Sequence, residues 1–159
     1  MKTGLIVGKF APLHAGHEHL LKTAAGAVDT LVVLVYDASD VTRVPLSVRA
    51  GWIRALYPEA VMLEGRNPPL RDGWTPERAR EHEEFVKQLV FPNHITHVFS
   101  CEEYGELLAR AFGAEHVLVE KIKEGIAHIS ATMIRNRPDA REFVSEQVYR
   151  DMQKYGDVV

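Results

Sequence analysis

The chain has 159 residues, a formal net charge of −3, 46% apolar and 26% charged residues, which is the size and balance of one domain able to bury a core without a disulfide or structural metal. The mild acidity argues against a dedicated duplex-DNA or membrane-surface binder, and no apolar run approaches the roughly 20 residues that cross a bilayer. Cys101 is the one cysteine, so an internal disulfide is excluded, a packed inert thiol is expected, and a reducing cytoplasmic setting fits.

The first element follows almost at once. Leu5-Ile6-Val7 is a short apolar run ending at Gly8, and it is too short, with Lys9 and His14 too close behind it, for a secretory signal. Residues 16–28 carry Leu20, Leu21, Ala24 and Ala27 at helical spacing. Residues 31–36 (LVVLVY) form a continuous, β-branched run, apolar on both faces as in a buried parallel strand. A helix is expected over residues 48–56, with Val48, Trp52, Ile53 and Leu56 on one side, and a strand over residues 60–63. Residues 64–73 hold two prolines, two glycines and two arginines and read as an ordered surface loop suited to substrate contacts. Thr75-Pro76-Glu77 is an N-cap with proline at the first helical position, opening a helix to Val90. A strand at residues 97–99, a helix at residues 103–112 and a strand at residues 116–119 follow, then further helices and a frayed tail over residues 155–159. Strands alternating with helices predict a single α/β domain over residues 1–159: a Rossmann-like, doubly wound parallel sheet of about five strands, with helices on both faces and a helical C-terminus. Ligands of such sheets bind beyond the carboxyl ends of the strands, where strand order reverses.

The residues joining the first strand to the first helix are Gly8-Lys9-Phe10-Ala11-Pro12-Leu13-His14-Ala15-Gly16-His17. Gly8 and Pro12 suit a tight turn, Gly16 leaves room at the helix start, and a helix N-terminus offers free N–H groups to phosphate. His14 and His17, three apart, project from one side of the turn, and Lys9 adds a positive charge. These are suitable parts for phosphoryl transfer, whose catalysis is mostly positioning and electrostatic stabilisation. A P-loop is rejected, because three residues rather than four separate Gly4 from Gly8 and Phe10 follows the lysine. Zinc held by His14, His17 and His19 would need carboxylate or cysteine partners at recognised spacing, which are missing nearby; no protein-held metal is expected.

This segment resembles the GxFxPxHxGH signature of the nucleotidylyltransferase superfamily, with its HxGH element at His14-Ala15-Gly16-His17. A second signature of that superfamily, ISxTxxR, is matched by Ile129-Ser130-Ala131-Thr132-Met133-Ile134-Arg135, and the resemblance spans about residues 4–150. The resemblance implies transfer of the NMP part of an NTP to a small phosphate acceptor with release of pyrophosphate. His14, His17, Lys9 and Arg135 would be catalytic, and Gly8, Phe10, Gly16, Ser130 and Thr132 nucleotide-binding. It also implies Mg²⁺ held mainly by the phosphates of the NTP, small-molecule partners rather than nucleic acid or membrane, and self-association into a homo-oligomer. No covalent intermediate and no general base are implied, since the acceptor phosphate is already an anion.

Within the superfamily the chain is most similar to NMN adenylyltransferases of the nicotinamide-riboside salvage type. Pro45, Arg49 and Trp52 match their proline–arginine–tryptophan segment, Gly73-Trp74 their glycine–tryptophan turn, and Ser100 with Glu103-Tyr104-Gly105 their serine–glutamate segment. On this likeness Arg49, Trp74, Lys121 and Lys123 are the acceptor-binding candidates. Two departures leave the acceptor open. The expected Asp-Pro after the fifth strand is replaced by Val119-Glu120-Lys121-Ile122-Lys123-Glu124, and Ala131 stands where glycine is usual. Lys121, Lys123, Arg66 and Arg71 would equally suit CTP-dependent cytidylyl transfer to a small phosphonate or polyol phosphate. A nucleotide-binding module without turnover is the more remote alternative.

Overall fold

The computed structural model describes residues 1–69, 75–121, 123–124, 127–137 and 139–158, with only the backbone at residues 123, 124, 127, 128 and 140. The element order is β1 (Thr3–Gly8), α1 (Ala15–Ala27), β2 (Thr30–Tyr36), α2 (Leu46–Leu56), β3 (Val61–Gly65), α3 (Pro76–Val90), β4 (His97–Ser100), α4 (Gly105–Phe112) and β5 (Glu115–Leu118). A two-residue antiparallel ladder follows, β6 (Lys123–Glu124) with β7 (Ala127–His128), and then α5 (Ala131–Asn136), a 3₁₀ turn (Ala140–Phe143) and α6 (Glu146–Tyr155). The five long strands form one parallel sheet in the order β3-β2-β1-β4-β5. The doubly wound sheet, its strand number and its helical end are as the sequence predicts; the β6–β7 ladder was not expected.

Strand alternation divides the core into two layers. Ile6, Val33, Val35 and Phe99 face Leu20, Leu21 and Ala24 of α1, Ala50 and Ile53 of α2, Ile134 of α5 and Met152 of α6. Leu5, Val32, Leu34 and Val98 face Val86 and Val90 of α3 and Leu108 of α4. The central strands are therefore apolar on both sides, because both sides are covered. Each of the Val, Leu, Ile, Phe and Met side chains contributes about 1.5–3 kcal/mol through burial.

Trp52 packs in the core, as its helical spacing predicts, and donates its indole N–H to Asp151 of α6 at 2.7 Å. One expectation changes in three dimensions. The tail is anchored rather than frayed: Asp157 accepts the Arg43 N–H at 2.7 Å and the Thr42 hydroxyl, clamping the end of α6 onto the β2–α2 connection. The chain runs from β1 outward to β2 and β3, then returns to β4 on the other side of β1. The reversal point, and the crevice it opens, therefore lies beyond the carboxyl ends of β1 and β4.

Candidate active site

A cavity of about 250 Å³ occupies that crevice. One wall is Gly8, Phe10, His14, Gly16 and His17; facing it are Ser100, Cys101, Glu102 and Tyr104 after β4, Lys121 after β5, and Ile129, Ser130 and Ala131 at the start of α5. The two signature segments, more than a hundred residues apart in the chain, thus share one cavity.

The histidines are held in an unusual cap. His14 is the N-cap of α1, and its Nδ1 accepts the N–H of Gly16 at 3.0 Å and of His17 at 3.4 Å. His17 returns the bond, its Nδ1 accepting the His14 N–H at 3.3 Å. This is a capping box built from two imidazoles, which normally uses Ser or Thr with Glu or Gln. The rings stack with centroids 3.8 Å apart, and Phe10 packs on His17 at 4.8 Å. With both Nδ1 atoms occupied as acceptors, each neutral ring carries its proton on Nε2. The expectation of free N–H groups at this helix start is corrected: the His14 ring takes those of Gly16 and His17, and the ring N–H groups become the donors, that of His17 drawn toward the Pro12 carbonyl.

Burial keeps the pair neutral. It lowers the His14 pKa from 6.5 to about 4. Burial also pulls His17 well below its usual range, the neighbouring His14 adds to this, and a backbone contact at Pro12 acts the other way. Gly16 is required by the same packing, since a Cβ there would lie 2.8 Å from Cε1 and 3.0 Å from Nδ1 of His14. The depressed pKa predicts a pH-dependent stability. Between pH 6.5 and about 4 the unfolded chain binds protons that folded His14 refuses, so stability should be full above pH 6.5 and fall as pH drops through that window. Thermal melts from pH 7.5 to 4.5 would check this: His14→Asn, which keeps an N-cap acceptor but does not titrate, should flatten the slope. An equal slope in both proteins would show that His14 is not its source.

The loop before α1 is fixed from below. Phe10 is 2% exposed and adopts φ 48°, a left-handed conformation that costs a non-glycine residue free energy. Its ring lies over Gly8, where a Cβ would approach it to 3.2 Å. Arg135 of α5 donates to the Ala11 carbonyl at 2.6 Å and to Thr132 Oγ1 at 3.4 Å, tying the second signature to the first. Ser130 caps α5, its Oγ accepting the Met133 N–H at 3.1 Å.

Some candidates stand elsewhere. Thr132 and Arg135 are not part of the cavity wall; Arg135 also borders a separate space of about 350 Å³ against α6. The Lys9 ammonium lies 3.6 Å from Asp40, beside the cavity rather than in its wall. Arg49 is 1% exposed beneath the loop, on main-chain carbonyls. Lys121 lines the cavity and pairs with Glu102. Trp74, Arg71 and the Lys123 side chain lie outside the described residues.

Two partners escaped the sequence reading. Glu102 offsets the charge of Lys121, and His116 bonds Ser100 Oγ at 2.8 Å across β4 and β5. Neither has a local signal, because strand pairing creates both contacts. Ser100 donates its hydroxyl proton to the Glu102 carbonyl at 2.6 Å, so it accepts from His116 and the two are not arranged as nucleophile and base. Burial raises the Cys101 thiol pKa, with Lys121 lowering it and Glu102 raising it, which keeps the thiol protonated. Among the described residues no group of three or more His, Cys, Asp or Glu is placed to hold a metal ion.

A family model described as cytidylyltransferase-like matches residues 5–137, which takes in both signatures and every wall of the cavity. The chain belongs to this cytidylyltransferase-like family. As a member it is nucleotidylyltransferase-like, and solved structures share the fold. A NadR protein in complex with NR is 23% identical with TM-score 0.61, over 94% of this chain and 45% of that one. A bifunctional NMN adenylyltransferase/ADP ribose pyrophosphatase from Francisella tularensis, complexed with AMP and a manganese ion, is 14% identical with TM-score 0.67, over 99% and 49%. Thermotoga maritima TmcAL bound with alpha-thio ATP is 15% identical with TM-score 0.67, over 97% and 56%. The cytidylyltransferase-like chain spans about half the length of these proteins. A comparison with curated proteins found no match. No helix among the described residues is long and apolar enough to cross a membrane.

Proposed function

We propose that the protein transfers the NMP part of an NTP to a small phosphate acceptor and releases pyrophosphate, with ATP and nicotinamide mononucleotide as the leading pair. The observation that carries this reading is the imidazole capping box. It fixes two uncharged imidazole rings on the wall of a cavity whose opposite side holds Ser130.

Such donors suit an oxygen that gains negative charge. An acceptor phosphate oxygen attacks the α-phosphorus in line, the new P–O bond forms as the α–β bridge breaks, and its electrons leave on pyrophosphate. His14 and His17 hydrogen-bond the developing charge without giving up their protons, and, being pre-placed, they need no reorganisation. Mg²⁺ would arrive on the phosphates of the NTP and supply charge neutralisation. The two histidines fit that division of labour, because they present N–H groups rather than lone pairs. Arg135 and Thr132 are proposed to meet the outer phosphates, and Lys9 to do so on leaving Asp40.

A second reading is cytidylyl transfer from CTP to a small phosphonate or polyol phosphate. Lys121 in the cavity wall, on leaving Glu102, would favour a compact, highly anionic acceptor. Pyrophosphate release with Mg²⁺, crossing ATP and CTP against nicotinamide mononucleotide, nicotinate mononucleotide and small phosphates, separates the two. Turnover of ATP with nicotinamide mononucleotide supports the first, and turnover of CTP with a small anion the second. No release with any pair would refute both and leave a nucleotide-binding module.

A further inference from the structure

We infer that Arg49 is a positioning residue, which sets the His17 donor through the Lys9–Phe10 segment instead of touching an acceptor. Arg49 lies on α2, 1% exposed, and its guanidinium joins three stretches of chain. Nε donates to the Val44 carbonyl at 3.1 Å, and Nη1 donates to the Tyr36 carbonyl at 2.8 Å and to the Lys9 carbonyl. Nη2 stands 3.8 Å from Asp37, the first residue beyond β2. Burial pulls the Arg49 pKa down while Asp37 and Asp157 hold it up, and a guanidinium so placed stays charged.

A buried charge facing three carbonyls and one carboxylate is compensated where it stands, beneath the loop and outside the cavity wall. What it fixes is specific. The Lys9 carbonyl belongs to the peptide that enters Phe10, the residue held at φ 48°. Phe10 is buried, and its ring packs on His17. Lys9 is thus held at both ends, by Arg49 of α2 on its carbonyl and by Asp40 of the β2–α2 connection at its ammonium. Loss of the Arg49 bond frees the Lys9 carbonyl and leaves the left-handed Phe10 held only by its packing, by Asp40 on Lys9 and by Arg135 on the Ala11 carbonyl. A shift of the Phe10 ring would carry His17 with it, and a donor misplaced by about 1 Å can cost up to about 100-fold in rate.

This inference rests on the proposed transfer reaction for its kinetic arm, and a second arm is independent of it. The variants are Arg49→Lys, which keeps charge but loses the planar fork, and Asp37→Asn, at the half-exposed end of the same guanidinium, where folding is less at risk. The expected kinetic result is a kcat roughly tenfold lower in Arg49→Lys and a smaller loss in Asp37→Asn, with the acceptor KM within about twofold of wild type. In a His17→Ala background the same changes should cost almost nothing, because the group they position is gone. A raised acceptor KM at unchanged kcat would make Arg49 an acceptor contact and overturn the inference; so would fully additive losses with His17→Ala. The independent arm is the imidazole ¹⁵N NMR spectrum of the ligand-free protein. Displaced His17 resonances in either variant, at native circular dichroism, support positioning even if the wild type turns over none of the pairs tried. Unchanged His17 resonances in both folded variants overturn it.

Discussion

Replacing His17 by alanine should lower turnover by about 10²–10³-fold, with a much smaller change in NTP affinity. The reason is the capping box. His17 Nδ1 is committed to the His14 N–H, so its proton sits on Nε2, where phosphate would take it over from the Pro12 carbonyl, and burial keeps the ring neutral. Loss of one pre-placed donor to a developing oxyanion costs about 2.7–4 kcal/mol in the transition state. A ground-state contact would instead raise KM and spare kcat. Stability should fall by only about 1 kcal/mol, since His14 still caps Gly16 at 3.0 Å. Single-turnover pyrophosphate release against NTP concentration is the measurement. Turnover within a factor of three of wild type would remove His17 from the chemistry.

Gly16→Ala should act on catalysis almost as strongly while leaving the fold nearly untouched. A Cβ at Gly16 would sit 2.8 Å from His14 Cε1, closer than real contacts allow, and the atom it meets belongs to a buried ring with little room to move. The imidazole must turn out, giving up its bonds to Gly16 and His17 and its stacking on the second ring. The two stability terms nearly cancel. Loss of the cap costs about 0.5–2 kcal/mol, and alanine in place of helical glycine returns up to about 1 kcal/mol. Turnover has no such compensation and should fall by roughly 10²-fold. Thermal melting beside kcat distinguishes the two effects. A large drop in melting temperature with activity per folded molecule preserved would mean the glycine serves only the fold.

The order of elements was legible because each strand and helix announces itself within a few residues. The run at residues 31–36 is apolar at every position, and the strand it forms lies buried between both helix layers. Thr75-Pro76 marked the start of α3, and Thr75 Oγ1 indeed accepts the Arg78 N–H at 3.2 Å. Boundaries drifted by one or two residues, as at α2, which begins at Leu46, ahead of the spacing that first signals it. The site was half legible. Both signatures were found, and each supplies cavity wall, but Arg49 matched an acceptor-contact pattern and lies under the loop instead. A tryptophan at helical spacing, Trp52, gave no hint that its N–H would reach Asp151 on the last helix.

By itself, then, the sequence determined the doubly wound sheet and marked the turn rich in glycine and proline before α1. Local periodicity and turn chemistry suffice for those, since they act between residues a few positions apart. Only the tertiary structure decided which ring nitrogen each histidine turns outward, that Arg135 reaches back 124 residues to the Ala11 carbonyl, that Arg49 reaches back 40 residues to Lys9, and that Asp157 pins the tail. These are hydrogen bonds between groups removed from water together. Their partners are set by which elements the sheet order brings side by side, and that order is a property of the packed core rather than of any one stretch of chain.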